Sequence, residues 1–189
     1  MASSSDLPTP ILTLQNSIVR PYHPSDAASL AEAANSKAVA AFLRNSFPHP
    51  YTLADSESWI KMNQTAPIRN WAIVSPSGTP VGSIGLVPGK DVYSQTYELG
   101  YWLGEQSWGQ KIMSEVVPAL ARWVFDGMGD EKVQVERLWA GVFSENLASQ
   151  KLLEKSGFVL EGRLRRAVLK DGVLMDEMVY SILRDDLKN

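Results

Sequence analysis

The chain has 189 residues, 44% of them hydrophobic and 21% charged, proportions that fit an ordinary globular domain and exclude a fibrous or disordered chain. Eighteen Lys and Arg against 21 Asp and Glu leave a net charge of −3, which argues against general nucleic-acid binding. The absence of cysteine excludes disulfides, thiolate metal sites and cysteine nucleophiles, and two histidines, His23 and His49, leave too few ligands for a His-rich metal site. In chain order, residues 1–10 are Ser- and Pro-rich and read as a flexible tail ahead of a single domain over residues 11–189. No basic-then-apolar leader and no stretch of ~20 apolar residues follows, so the expectation is a soluble cytoplasmic protein with no membrane partner.

Partial alternation over Ile11–Gln15 and again over Ile18–Arg20 predicts a strand or a hairpin-like pair ending at Pro21. Asp26 to Asn35 is rich in Ala, Leu and Glu and predicts a helix, with Ser25 or the preceding turn as its cap. A second helix is expected from Thr52, where Thr52-Leu-Ala-Asp55 has the shape of a capping box, to about Gln64. Between them Arg44–Tyr51 carries two prolines and three rings, a stiff loop suited to wall a pocket. Strands are predicted at Trp71–Val74, Val81–Val87 and Tyr97–Leu103, joined by turns at Ser75–Gly78 and Pro88–Asp91. Apolar residues at helical spacing predict a long helix over Ile112–Phe125. Arg137–Phe143 is a nearly continuous apolar run, as in a strand buried on both faces, and Asn146–Lys155 is helical again, closed by Ser156-Gly157. Two last strands, Phe158 to about Leu169 and Val173–Leu183, flank the hairpin turn Lys170-Asp171-Gly172. The order predicts a mixed α/β sheet with helices packed on it.

Two segments carry chemistry. Leu103–Ser114 is a glycine-containing loop that opens a long helix; unpaired N–H groups and the positive end of the helix dipole suit such a place to a phosphate, and Gly109 permits close backbone approach. Ser144–Phe158 places Asn146 and Ser149 three positions apart near a helix start, where both can point toward a cleft; capping by Ser144 or Asn146 explains the pattern equally well.

Together, in this order, the two segments resemble the GNAT acyltransferase superfamily, most closely the RimJ/RimL-like N-terminal acetyltransferases. The family's Gln/Arg-x-x-Gly-x-Gly/Ala loop is matched by Gln106, Gly109 and position 111, and its Asn-x-x-Ser helix followed by Gly-Phe is matched by Asn146, Ser149, Gly157 and Phe158. Glu98–Leu103, Phe47–Tyr51 and Lys170 through Tyr180-Ser-Ile-Leu183 add matching phrases, so the likeness runs over about residues 11–185. The resemblance implies an α/β (α+β) fold with a mixed, mostly antiparallel central sheet of about seven strands flanked by about four helices. It also implies acetyl-CoA as cosubstrate. Trp102, Leu103, Gln106, Trp108, Gly109, Gln110, Lys111, Ile112, Ser114, Asn146 and Ser149 would then hold the cofactor. Lys111 departs from the pattern, standing where the family has a second small residue; an ordinary helical backbone there would leave its amide free to donate.

Acetyl transfer needs an amine to lose a proton, attack the thioester and expel the CoA thiolate, and without cysteine a direct transfer in a ternary complex is the simpler course. In the family pattern Glu98 is placed as the base and Ser149 beside the leaving sulfur. Backbone N–H groups near Trp102 and Leu103 would hold the thioester oxygen. Phe47, His49 and Tyr51 in the stiff loop and Arg165, with Arg163 and Arg166, are the expected walls for a peptide or small-molecule amine; packed aromatics and a solvated Arg face are the plain alternatives. A catalytically silent acyl-CoA-binding module is the competing function. A nucleotide-binding loop is disfavoured because no Gly-Lys-Ser/Thr follows Gly109. Monomer and homodimer are both compatible with the sequence.

Overall fold

The computed structural model describes residues 7–129 and 133–188. These form eight strands, β1 (Leu12–Thr13), β2 (Ile18–Arg20), β3 (Asn70–Val74), β4 (Pro80–Pro88), β5 (Thr96–Leu103), β6 (Arg137–Phe143), β7 (Val159–Lys170) and β8 (Val173–Leu183). Five α-helices accompany them: α1 (Ala27–Ala34), α2 (Lys37–Ala40), α3 (Leu53–Met62), α4 (Ile112–Phe125) and α5 (Leu147–Lys155). The strand order is β1-β2-β3-β4-β5-β6-β8-β7, antiparallel except for the β5–β6 ladder in the registers resolved. The expected mixed sheet is present; the extra strand is the resolved β1–β2 pair, and the extra helix is the four-residue α2, too short for its periodicity to be read. Of the expected tail, residues 1–6 lie outside the described residues. The described chain divides into two compact units, one of residues up to Gly85 with Tyr101–Ile112, the other of Leu86–Gly100 with the residues from Met113 onward.

In the first unit β2 pairs with β1 and β3, and β3 continues into β4. The helix predicted at Asp26 starts with a 3₁₀ turn over Pro24–Asp26 and becomes α1 at Ala27. Of its two expected caps, the preceding turn serves rather than Ser25: the His23 ring accepts the Ser25 N–H, and the Asp26 carboxylate accepts the His23 N–H. Asp26 is fixed for this by a buried ion pair with Arg20, 2.7 Å across. The Thr52–Asp55 capping box opens α3 as expected. Tyr22, Ala27, Leu30, Ile60, Ala72 and Val74 form one core cluster. The buried Tyr22 hydroxyl is satisfied there by Ser83 (2.5 Å) and the Trp59 indole (3.0 Å), and burial pushes its pKa up to about 12.

In the second unit β6 pairs with β8 over its full length. The apolar run of β6 is buried on one face only: Leu138, Ala140 and Val142 are buried while Arg137, Trp139 and Gly141 are half-buried. Helix α4 buries Val116, Val117, Leu120, Ala121 and Val124. Pro118 removes the N–H that would bond the Ser114 carbonyl, and the helix continues past it, with Ser114 exposed. The β7–β8 turn has Asp171 at φ +48° and Gly172 at φ +83°, the paired left-handed residues of a tight hairpin. Gly157, at φ +91°, closes α5 as expected. No helix among the described residues is long and apolar enough to cross a membrane.

Candidate active site

The loop from Leu103 to Ile112 is built on β5. Its Gly104 N–H donates to the Val81 carbonyl at 2.8 Å, and a Cβ on Gly104 would stand 2.9 Å from the Ala33 Cβ, so only glycine lets the loop lie this close to α1. A 3₁₀ turn over Glu105–Ser107 follows, with the Glu105 carboxylate taking the Ser36 hydroxyl at 2.7 Å. The Trp108 indole donates to the Leu103 carbonyl at 2.8 Å and the Gln110 amide to the Gln106 carbonyl at 2.9 Å, so Trp108 and Gln110 act first as clamps on the loop's own backbone. Gly109 lies at φ +74° and Lys111 at φ +63°. The expected helical backbone at Lys111 is therefore corrected: a side chain occupies a left-handed position that favours glycine. Ile112 is buried and starts the 14-residue α4. The N–H groups of Gly109, Gln110, Lys111 and Ile112 donate to no described backbone carbonyl, and open space surrounds Gly109 where a Cβ would be. Alternating left-handed residues at a helix N-terminus make a concave row of donors suited to an anion. Gln106 is exposed, and Ser114 stands exposed in the helix's first turn.

The stiff loop forms an aromatic stack. Phe47 lies 4.8 Å from Tyr51 and 5.7 Å, edge-on, from Trp102, between ring centroids. Tyr51 packs on Ala31 and Ala34, and its N–H donates to Asn35 at 3.0 Å. Burial pushes the Tyr51 hydroxyl up to about 12, so it stays a neutral phenol at ordinary pH. Phe47, Tyr51 and Trp102 are thus brought together, while His49 is exposed and outside the stack.

Glu98 is half-buried on β5. The parallel ladder to β6 covers Thr96↔Arg137, Tyr97↔Leu138 and Glu98↔Trp139 and ends there. Glu98 lines a groove of about 430 Å³ together with Lys90, Tyr93, Thr96, Arg137 and Trp139. Its floor follows from the register, since Thr96 and Glu98 alternate onto one face and their partners Arg137 and Trp139 stand beside them. Its wall is the β4–β5 connection, held by the Gly89 N–H donating to the Thr96 carbonyl at 2.8 Å. Sequence reasoning took Pro88–Asp91 only as a turn and missed this groove. The available signal was Lys90 and Tyr93 in the turn, with Arg137 and Trp139 at period two on β6.

Asn146 caps α5: its side-chain oxygen accepts the Ser149 N–H at 3.1 Å. The capping alternative is thus realised, and what Asn146 retains for a ligand is its amide NH2. Ser149 is half-buried in the first turn of α5. The Tyr180 hydroxyl ties β8 to α5 by donating to Glu154 at 3.2 Å. Arg165 is exposed on β7, where its neighbours are engaged: the Arg163 side chain and the Arg166 N–H both donate to Asp176. Those bonds, the Arg166 N–H first, hold the Asp176 carboxyl below the usual range.

A family model described as an acetyltransferase (GNAT) domain matches residues 17–159. Among curated proteins, "Probable N-acetyltransferase YjcK" of Bacillus subtilis (strain 168) is 37% identical over 92 residues, 49% of this chain and 48% of the relative. The match to such relatives spans about half their length. Among solved structures, RimL, a ribosomal L7/L12 alpha-N-protein acetyltransferase in complex with Coenzyme A, aligns with a TM-score of 0.79 at 20% identity, covering 94% of this chain and 99% of that one. A spermidine N-acetyltransferase SpeG chimera from Vibrio cholerae and hSSAT aligns at 0.75 and 16%, covering 93% and 99%. At these identities the two structures establish a shared fold.

Proposed function

Because the chain belongs to the acetyltransferase (GNAT) family, we propose that it transfers the acetyl group of acetyl-CoA to a primary amine, on a peptide N-terminus or a small molecule, by direct attack in a ternary complex. The observation that carries this reading is the row of N–H donors at Gly109–Ile112 that meet no backbone carbonyl among the described residues, opening a 14-residue helix inside the family match. That row, rather than any cation, is the chain's means of holding a pyrophosphate. Gln106, Trp108 and Gln110 shape it, and the Lys111 ammonium adds a charge beside it. The match over residues 17–159 runs through both compact units, which supports treating residues 11–189 as one functional domain. Placement in the RimJ/RimL-like branch and in the cytoplasm belongs to the same proposal.

In the proposed reaction the amine nitrogen loses a proton to Glu98, directly or through water, and forms a bond to the acetyl carbon. The carbon–sulfur bond then breaks and the CoA thiolate takes up a proton. Glu98 is the base because it is a half-buried carboxylate lining a groove that an amine can enter. Backbone N–H groups at Trp102–Leu103 are assigned to the thioester oxygen, where preorganised donors are worth a few kcal/mol. The Asn146 NH2 is assigned to the pantetheine or acetyl region, and the Ser149 hydroxyl orients the leaving sulfur. Phe47 and Tyr51 wall the acceptor path; Arg165 contributes charge to the acceptor's approach.

Calorimetric titration with acetyl-CoA beside ATP tests the cofactor. Saturable binding of acetyl-CoA alone is expected, and no binding at millimolar ligand sinks the reading. Glu98→Gln should retain that binding while turnover falls about 100-fold or more. Acetyl-CoA binding without turnover on any amine would instead favour a silent acyl-CoA-binding module.

A further inference from the structure

Opposite charges stand at two points of the groove beside Glu98. Glu98 supplies a carboxylate from β5. Arg137, opposite Thr96, is already engaged, because its guanidinium binds Glu161, whose other oxygen takes the Ser181 hydroxyl at 2.6 Å. Lys90 is exposed on the wall and makes no ion pair among the described residues, so it is the groove's uncommitted cation. The Gly89–Thr96 bond puts Lys90 next to the position two residues before Glu98, roughly 7 Å along the strand. The Tyr93 and Trp139 side chains supply apolar surface in the same groove.

We propose that this groove selects acceptors by their far end. Resting on the transferase reading, it takes small amines whose amino group goes to Glu98 and whose carboxylate, or other anionic group, goes to Lys90 across a short apolar spacer. Polyamines, with a second cation at the far end, meet Lys90 as a like charge and are disfavoured. The preference belongs to KM, because Lys90 touches no reacting atom.

The test uses two acceptors with the same three-methylene spacer and opposite far ends, 4-aminobutyrate and 1,3-diaminopropane. With no cysteine in the chain, a thiol reagent reports released CoA against no protein background. In the wild type, KM for 4-aminobutyrate is expected to be about three- to ten-fold below that for the diamine, the range an exposed charge can supply. Lys90→Glu should reverse the ratio with kcat unchanged. Lys90 offers no side-chain cap to the turn it precedes, so the substitution removes no structural bond there. Equal KM ratios in wild type and variant, or a wild-type preference for the diamine, overturn the inference and leave the transferase reading intact. If neither amine releases CoA, direct calorimetry of 4-aminobutyrate decides: binding abolished by Lys90→Glu supports the groove, no binding overturns it, and the transferase reading is judged separately by acetyl-CoA binding and turnover on other amines.

Discussion

Lys111 and Gly109 pose opposite versions of one experiment. Both backbones are left-handed, but only one residue is glycine. Because a Cβ on Gly109 would meet nothing within 4 Å, Gly109→Ala isolates the backbone cost, and urea denaturation should show a loss of about 1–2 kcal/mol. Lys111→Gly relieves the same strain but adds chain entropy to the unfolded state, so a gain of about 0.5–1 kcal/mol is expected. If Lys111→Gly also weakens acetyl-CoA binding, the ammonium contributes to the site; unchanged affinity would assign it to solvent. At Asn146 two roles share one side chain. Asn146→Asp keeps the capping oxygen and loses the NH2, whereas Asn146→Ala loses both and costs about 1 kcal/mol of stability. A drop in acetyl-CoA affinity common to both variants, with stability lost only in the alanine form, would separate ligand contact from capping.

Among the elements, the β7–β8 hairpin has a titratable fastening. Asp176 accepts from Arg163 and Arg166, and Glu161 accepts from Ser181 and Arg137; both carboxyls are held below their usual range, chiefly by the Arg166 N–H and the Ser181 hydroxyl respectively. A folded pKa below the unfolded one gives stability that is present above the unfolded value and lost as pH falls through the folded one. Amide protection in the hairpin, with the intrinsic pH dependence of exchange divided out, should therefore fall below about pH 4, and Asp176→Asn should flatten part of that dependence. Gly104→Ala tests a different junction. The added methyl meets the Ala33 Cβ and backbone, and a thermal melt should show about 1–3 kcal/mol lost. Long elements were the legible ones: α4, β6 and β8 begin and end where periodicity and turn residues place them. The short α2 and the identity of His23 as the capping residue were not, because they depend on contacts rather than pattern: Asp26 completes the cap while held by Arg20, a partner on β2.

For the molecule as a whole, the segments matched by resemblance were legible because their chemistry is local: a loop followed by a helix, and a cap followed by a turn. The groove at Glu98 was not, since it needs β5 and β6 side by side and a connection folded over them, and register is invisible in one sequence. Nor was the true conformation of Lys111 readable, because a lysine gives no signal of a positive φ in the way a glycine does. The division of the chain into two units, with Tyr101–Ile112 belonging to the first, bears on synthesis. A nascent chain that has emerged from the exit tunnel as far as Gly85 has most of that unit outside the ribosome yet lacks the segment that completes it. Leu86–Gly100, which belongs to the other unit, must emerge before Tyr101–Ile112 can arrive. The N-terminal helices thus wait, incompletely covered, for residues made later, and chaperone capture of stalled chains should fall sharply once the arrest point passes Ile112 by the length of the exit tunnel.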